Sequence, residues 1–373
     1  MTNSEKTSQT TPESTYTSPL LALPGAAECQ DYDFPSLRSV AWHYGNPLGE
    51  QRNFETRGLV DRSNRPVFAV SGADSATFLN SLLSQKLIDQ PDGFSAQAIN
   101  LDGQGRIEQL IDVSIHDRSF YLDLAPEHAA NLIDYLNLRV FWSEVEITPT
   151  DLRIISLMSP TDDAVSLPDA VAFSRVGAWS AGVRRDCFVP ESQLSAVATE
   201  LIDAGWAPTG LMAYTAERVK NTIPEAGIDF DDKTIPHEIP HLINRGDTTG
   251  AVALNKGCYR GQETIARVEN LGRSPRLLVM VHLDGSAPQL PEPGAPIEAA
   301  GKVVGRLGTV VHDWELGPIG LALIKRSVVH AETPTVLHSG DTAISIDPDS
   351  IPVEESSQAG RAALNRLKGL SKD

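Results

Sequence analysis

From Pro66 to Glu146 apolar and polar positions alternate in two registers. The run Val67-Phe68-Ala69-Val70 predicts a strand, and Ser71-Gly72-Ala73-Asp74 then opens a helix whose Phe78, Leu79, Leu82 and Leu83 recur at helical spacing. That spacing marks a core-facing stripe. Strands are predicted at Phe94 to Leu101, Arg106 to His116 and Phe120 to Leu124, and a helix from Glu127 to about Val140. The link Asn100-Leu101-Asp102-Gly103-Gln104-Gly105 reads as a tight hairpin, its alternate glycines supplying positive φ.

A second unit follows, with strands near Leu152 to Met158 and Val171 to Trp179 and helices at Glu191 to Ala204 and Leu211 to Asn221. Pro224 to Asn255 shows little periodicity and reads as an ordered connecting loop, a kind of segment that often carries function. After Pro275 the pattern changes to short strands at Arg276 to Leu283, Pro296 to Ala299, Val303 to Val311, Ile319 to Ile324 and Thr342 to Ile346. Gly and Pro punctuate them as in a small all-β barrel or sandwich. Hairpin-paired strands with helices over one face make an α+β plan. The expected organisation is a disordered polar tail over 1–30, an α+β region of two subdomains over 31–272, the β unit over 273–347 and a polar tail over 348–373, frayed from Asp347 onward, in which Gly360 to Leu370 could form a short helix.

Composition narrows the function classes. A 41% hydrophobic and 21% charged chain of 373 residues is an ordinary globular protein of two or three units, and a net charge of −18 argues against nucleic acid or an anionic membrane as a main partner. Cys29, Cys187 and Cys258 are too few and too scattered for a disulfide framework or a closed four-thiolate metal site. No export signal is read in the polar N-terminus, so a reducing, cytoplasmic setting is expected.

Chemistry concentrates at Lys256-Gly257-Cys258-Tyr259-Arg260-Gly261-Gln262-Glu263. Between 256 and 276 five basic residues, Lys256, Arg260, Arg267, Arg273 and Arg276, stand against Glu263 and Glu269, a local reversal of sign that suits an anionic ligand. The same charges would equally suit a solvated helix face. Gly257 and Gly261 let the backbone turn, and a helix from Gln262 would set Cys258 just before its N-terminus beside two cations, which favours thiolate. A buried, inert cysteine is the competing reading. His237-Glu238-Ile239-Pro240-His241 has the letters of a zinc-protease motif, yet Pro240 breaks the helix that motif needs, so the segment is read as a loop and no metal is assigned. Asp229, Asp231 and Asp232 lack calcium-loop spacing and read as a cap or turn.

The octapeptide with Thr264 resembles the K-G-C-Y-x-G-Q-E signature of the YgfZ group, relatives of the glycine-cleavage T-protein, and the likeness extends to the segments around Ser71 to Leu83, Asn100 to Arg106, Thr234 to Glu238 and Leu316 to Gly320. The resemblance implies three subdomains in a ring around a central folate pocket, the last a β-barrel, and an accessory role for iron–sulfur enzymes or their assembly proteins. It makes Cys258 the functional residue and tetrahydrofolate the cofactor, with Lys256, Tyr259, Arg267, Asn100, Glu263 and Glu108 as candidate pocket residues. Two departures weigh against aminomethyl transfer: the acidic pair of T-proteins falls on Glu108 and Gln109, and their pterin-contacting Glu falls on Lys220. A one-carbon transferase using Glu108 or Glu263 for proton transfer, and a non-enzymatic folate-sensing scaffold, are the alternatives.

Overall fold

The computed structural model describes residues 16–352 apart from 31, 33, 163–164, 180–181, 246–248, 272, 288 and 333–335. In chain order its first elements are β1 (Gly58–Asp61), β2 (Val67–Ser71), α1 (Ser75–Leu82), β3 (Ser95–Leu101), β4 (Ile107–His116), β5 (Ser119–Asp123), α2 (Pro126–Asn137) and β6 (Glu146–Pro149). Then come β7 (Leu152–Ser159), β8 (Phe173–Trp179), β9 (Gly182–Pro190), α3 (Leu194–Asp203), β10 (Ala207–Thr209), α4 (Leu211–Lys220) and α5 (Gln262–Leu271). The C-terminal elements are β11 (Arg276–Leu283), β12 (Pro296–Ala299), β13 (Lys302–Asp313), β14 (Gly317–Lys325), α6 (Arg326–Val329), β15 (Leu337–Ser339) and β16 (Thr342–Ile346).

These strands build two five-stranded sheets, β10-β1-β7-β9-β8 and β3-β4-β5-β2-β6, and a closed barrel, β11-β14-β13-β12-β15-β16. The α+β plan holds, and the C-terminal β unit is a barrel rather than a sandwich. The chain enters the first sheet at β1, completes the second with β2 to β6, and returns to the first at β7. Among the described residues no helix is long and apolar enough to cross a membrane.

Helices α1 and α2 form where the periodicity requires. Phe78 and Leu79 of α1 pack with Ala129, Leu132 and Leu136 of α2 over the second sheet. Leu79, Leu132 and Leu136 have no exposed surface, each contributing about 1.5–3 kcal/mol. Pro126 stands in the first turn of α2, where its missing N–H breaks no helical bond.

Charged residues join the two sheets. Arg175 of β8 reaches Asp123 of β5 at 2.5 Å and Asp186 of β9 at 2.9 Å. Arg65 holds Asp123 at 3.0 Å and Asp112 of β4 at 2.9 Å, and Arg62 lies 3.4 Å from Asp186. Asp123 and Asp186 are fully buried, so each carboxylate has exchanged water for guanidinium partners.

Three expectations are corrected. The disordered tail over 1–30 does not extend through its second half: Leu20 packs on the α3 cluster, Cys29 is buried, and the Ser18 hydroxyl donates to Asp61 at 2.5 Å. Of the hairpin glycines only Gly105 has positive φ, +76°, because the Asp102 carboxylate accepts from the backbone N–H of Gln104 and Arg106 and closes the turn itself. The tail after 347 begins packed, with the Ser350 hydroxyl 3.0 Å from the Met280 N–H; the helix considered over 360–370 lies outside the described residues.

Candidate functional site

Helix α2 has a second face. While Ala129, Leu132 and Leu136 enter the core, His128, Asn131 and Tyr135, at i, i+3 and i+7, line a cavity of about 890 Å³. Its other walls are the β3–β4 hairpin, through Asn100, Asp102, Arg106, Glu108 and Gln109; the loop at Gly227, Phe230, Asp231 and Asp232; and Arg260 and Arg306. The second sheet and the barrel strand β13 therefore both contribute, whereas the first sheet supplies no lining residue.

Tight backbone packing positions Arg260. Gly261 has φ +81°, and a Cβ there would lie 2.7 Å from the Asp102 carbonyl oxygen and 2.9 Å from the Gly105 Cα. A Cβ on Gly105 would in turn meet the Thr264 side chain at 2.7 Å. The hairpin tip and the start of α5 thus interlock through two glycines. Gly257 differs: nothing lies within 4 Å of its Cβ position, so the close approach expected of both glycines belongs to Gly261.

The cations of the motif do not converge on one anion. The Lys256 ammonium donates to the carbonyls of Asn80, Leu83 and Gln85 at 2.5–3.0 Å, at the C-terminal end of α1, and sits 4.7 Å from the Tyr259 ring centre. Burial pushes Lys256 down to about 8 and the buried Tyr259 phenol up to about 12. Arg260 turns to the cavity and bonds Glu108 at 3.1 Å. Arg267 and Glu263 are exposed on α5, away from the cavity lining. Arg276 is bound to Asp231 and Glu238.

Cys258 is exposed, two residues before Arg260, whereas Cys29 and Cys187 are buried. Of the seven candidate residues the structure brings Asn100 and Glu108 to the cavity, with Lys256, Cys258 and Tyr259 on the loop leading to Arg260 and Glu263 and Arg267 further along α5. Sequence reasoning missed His128, Tyr135, Arg106 and Arg306; the first two could have been found as a second α2 stripe.

The two set-aside motifs are tied into the fold, and Asp231 and Asp232 of the second also line the cavity. His237 to His241 forms two short 3-10 turns; His237 Nε2 is 3.1 Å from Glu269, which that bond and Arg245 hold down at about 2. Burial lowers His241 to about 4. Among the described residues no group of three or more His, Cys, Asp or Glu side chains is arranged for a metal. Asp229 bonds Arg218 at 2.5 Å and accepts from the Thr309 N–H at 2.7 Å, tying α4 to the barrel. Lys220, at the position of the pterin-contacting Glu, is paired with Glu217 at 2.5 Å and Asp313 at 3.1 Å.

The fold has a known counterpart. It matches the crystal structure of glycine cleavage system aminomethyltransferase T from Bartonella henselae with a TM-score of 0.72 over 86% of this chain and 93% of that one, at 18% identity. Residues 276–353 match the family model of the CAF17 C-terminal beta-barrel domain. The chain is 24% identical over 292 residues to the putative transferase At1g60990, chloroplastic, of Arabidopsis thaliana, covering 72% of this chain and 65% of that one. It is 27% identical over 252 residues, 62% of its length and 59% of the relative's, to the iron-sulfur cluster assembly factor IBA57 homolog, mitochondrial, of Mycosarcoma maydis. Against the tRNA-modifying protein YgfZ of Vibrio atlanticus (strain LGP32) it is 23% identical over 220 residues, 56% and 65% of the two chains. The chain thus spans about six-tenths of the length of these relatives. It is similar to YgfZ- and IBA57-named proteins and has the fold of the aminomethyltransferase, with a barrel of the CAF17 C-terminal type.

The cavity residues fit a folate. The volume is within the range of small-molecule sites. Arg106, Arg260 and Arg306 offer guanidinium groups to carboxylates, Tyr135 and Phe230 are the aromatic residues of the lining, and Asn100 and His128 carry buried polar atoms with no partner among the described residues.

Proposed function

We propose that the chain is a folate-binding accessory protein for iron–sulfur cluster assembly or repair, taking tetrahydrofolate in the α2–hairpin cavity beside the Cys258 loop. The relatives named for iron-sulfur cluster assembly and for tRNA modification support the broader role, assembly or modification, and the cavity carries the narrower one. Arg106, Arg260 and Arg306 would hold the glutamate carboxylates, and Tyr135 and Phe230 would flank the rings. The folate, when bound, supplies a reduced ring able to carry one carbon. The chain's own residues orient it: Arg260 bridges the cavity wall and the motif loop, so an occupied cavity and the position of Cys258 are linked through two peptide units.

A single exposed thiol cannot complete a cluster's ligand set, so Cys258 acts with the partner's ligands as a transient thiolate contact. Three free cysteines suit a reducing compartment such as the cytoplasm. The transferase alternative keeps one observation in its favour, since Glu108 does face the cavity. Its carboxylate is already engaged by Arg260 and Asn100, so the oxygen that would handle a proton is occupied by a cation and an amide.

Calorimetric titration of wild type and Cys258→Ser with tetrahydrofolate, paired with complementation of a deletion strain, tests the proposal. Both proteins are expected to bind, and only wild type to restore iron–sulfur enzyme activity. Full restoration by Cys258→Ser, or the absence of binding by wild type, would overturn it.

A further inference from the structure

The three most exposed large apolar side chains among the described residues, Trp142 at 99%, Phe141 at 80% and Leu138 at 72%, stand together where α2 ends. Their neighbours hold them out. Val140 and Val145 pack against the core of the second sheet, so the chain between them is anchored on both sides. The Ser143 N–H donates to the Val140 carbonyl at 2.9 Å, and Asp74 fastens the far side: its carboxylate accepts from the Glu144 N–H at 2.8 Å and its own N–H donates to the Glu144 carbonyl at 3.3 Å. A Cβ on Gly72 would collide with that carbonyl, so glycine completes the clasp. Phe141 is held at φ +43°, a left-handed conformation that a bulky residue adopts only where its surroundings impose it. Neither exposure nor strain stabilises the chain, so the two rings serve something outside it.

The tip continues the stripe of α2 that lines the cavity, because Leu138 follows Tyr135 at i+3. Tyr135 joins the two regions: the Arg139 guanidinium stacks 3.6 Å from its ring centre, and that of Arg260 stands 5.7 Å from it. Charge selects the occupant. Along the tip the exposed carboxylates of Asp134, Glu144 and Glu146 stand against Arg139 alone, whose guanidinium is engaged with the ring and carbonyl of Tyr135. Two copies meeting tip to tip would set these carboxylates against themselves, and an anionic bilayer would repel them in a chain already at −18. A protein surface with an apolar pocket ringed by Lys and Arg answers both the rings and their rim. Two aromatic side chains offer about 300–500 Å², around half of what each side of a standard interface buries.

We infer that Leu138, Phe141 and Trp142 anchor a protein partner that presents a basic-rimmed apolar pocket. The inference rests on the accessory reading only for the partner's role, a client or assembly protein of iron–sulfur enzymes; the tip's geometry and charge supply its chemistry. A partner seated there would rest on the helix whose other residues line the cavity, with Tyr135 and Arg260 leading from it to the Cys258 loop.

One double variant and one probe test it. Phe141→Asn with Trp142→Ser removes both rings and suits a left-handed backbone, so its unfolding midpoint and tetrahydrofolate affinity should match wild type. In a deletion strain it is expected to lower the restored iron–sulfur enzyme activity at least about tenfold, as the loss of interface hot spots does. Trp142→p-benzoylphenylalanine, irradiated in the same strain, should give an adduct with a different protein, and adding Glu144→Lys with Glu146→Lys should reduce that adduct at least about fivefold. Full restoration by the double variant overturns the inference. So does the absence of an adduct, an adduct with a second copy of this chain, or one indifferent to charge reversal. Cosedimentation with phosphatidylcholine vesicles containing phosphatidylglycerol, lost in the double variant, would overturn it in favour of a membrane. If wild type itself restores no activity, the accessory reading falls, while a charge-dependent adduct still upholds the tip.

Discussion

Replacing Gly261 by Ala should loosen the motif from the hairpin that it grips. Two penalties add. An L-residue held at φ +81° loses about 1–2 kcal/mol relative to glycine. The new methyl would lie 2.7 Å from the Asp102 carbonyl oxygen and 2.9 Å from the Gly105 Cα. Both are backbone atoms that no rotamer change can move, and such overpacking costs about 1–3 kcal/mol. The sum, about 2–5 kcal/mol, is a large share of the roughly 5–15 kcal/mol that stabilises a folded domain. With a urea slope of about 2–3 kcal/mol/M, the unfolding midpoint should fall by about 1–2 M. Gly257→Ala is the internal control: its Cβ position is open and its φ is not positive, so its midpoint should move by less than about 0.5 kcal/mol equivalent. Tetrahydrofolate titration of both variants should follow the same order, because Gly261 positions Arg260 at the cavity. Equal midpoints for the two variants would refute the interlock.

Two further outcomes follow from the buried charges. Arg175→Met removes the guanidinium shared by Asp123 and Asp186 but leaves Asp123 with Arg65 and Asp186 with Arg62, and should destabilise the protein by about 1.5–3 kcal/mol, read from the thermal unfolding midpoint; the double variant Arg175→Met with Asp186→Asn should recover part of that loss. Burial, with Glu225 nearby, raises Glu127 to about 7, so between its ordinary pKa near 4.5 and 7 the folded state binds the extra proton and stability falls as pH rises through that window. Glu127→Gln should therefore flatten the stability profile between pH 4.5 and 7 and gain up to about 3 kcal/mol over wild type at pH 8, and an unchanged slope in chemical denaturation would contradict this.

Elements with a clean apolar period were legible. Helices α1 and α2, strands β3 to β5 and five of the barrel strands fall within a few residues of their expected places, because each buries one regular face. Strand β9 went unseen for the opposite reason: in Gly-Val-Arg-Arg-Asp-Cys-Phe-Val-Pro the buried side includes Asp186, and patterning rules send charge to the surface. The short β1, β6, β10 and β15 were missed because so few residues carry too little period, whereas β12, equally short, was marked by the Pro and Gly before it. At the site, the motif drew attention to the right loop, but not to where its cations point. Lys256 looked like an anion ligand and is a clamp on α1; Arg260 is the cation that faces the cavity. His128 was passed over because a polar stripe of His128, Asn131 and Tyr135 on a helix looks like any solvated face until the opposing wall is known.

The unequal exposure of the three thiols gives the protein a reporter of its own. Burial pushes Cys187 up to about 12, Cys29 has no exposed surface, and Cys258 stands open to solvent. A maleimide dye or spin label offered to the native protein should therefore enter at one place without any engineered cysteine. That place is the loop joined to the cavity by Arg260, so the label's mobility and emission would register ligand entry or partner docking in real time on the unmodified sequence.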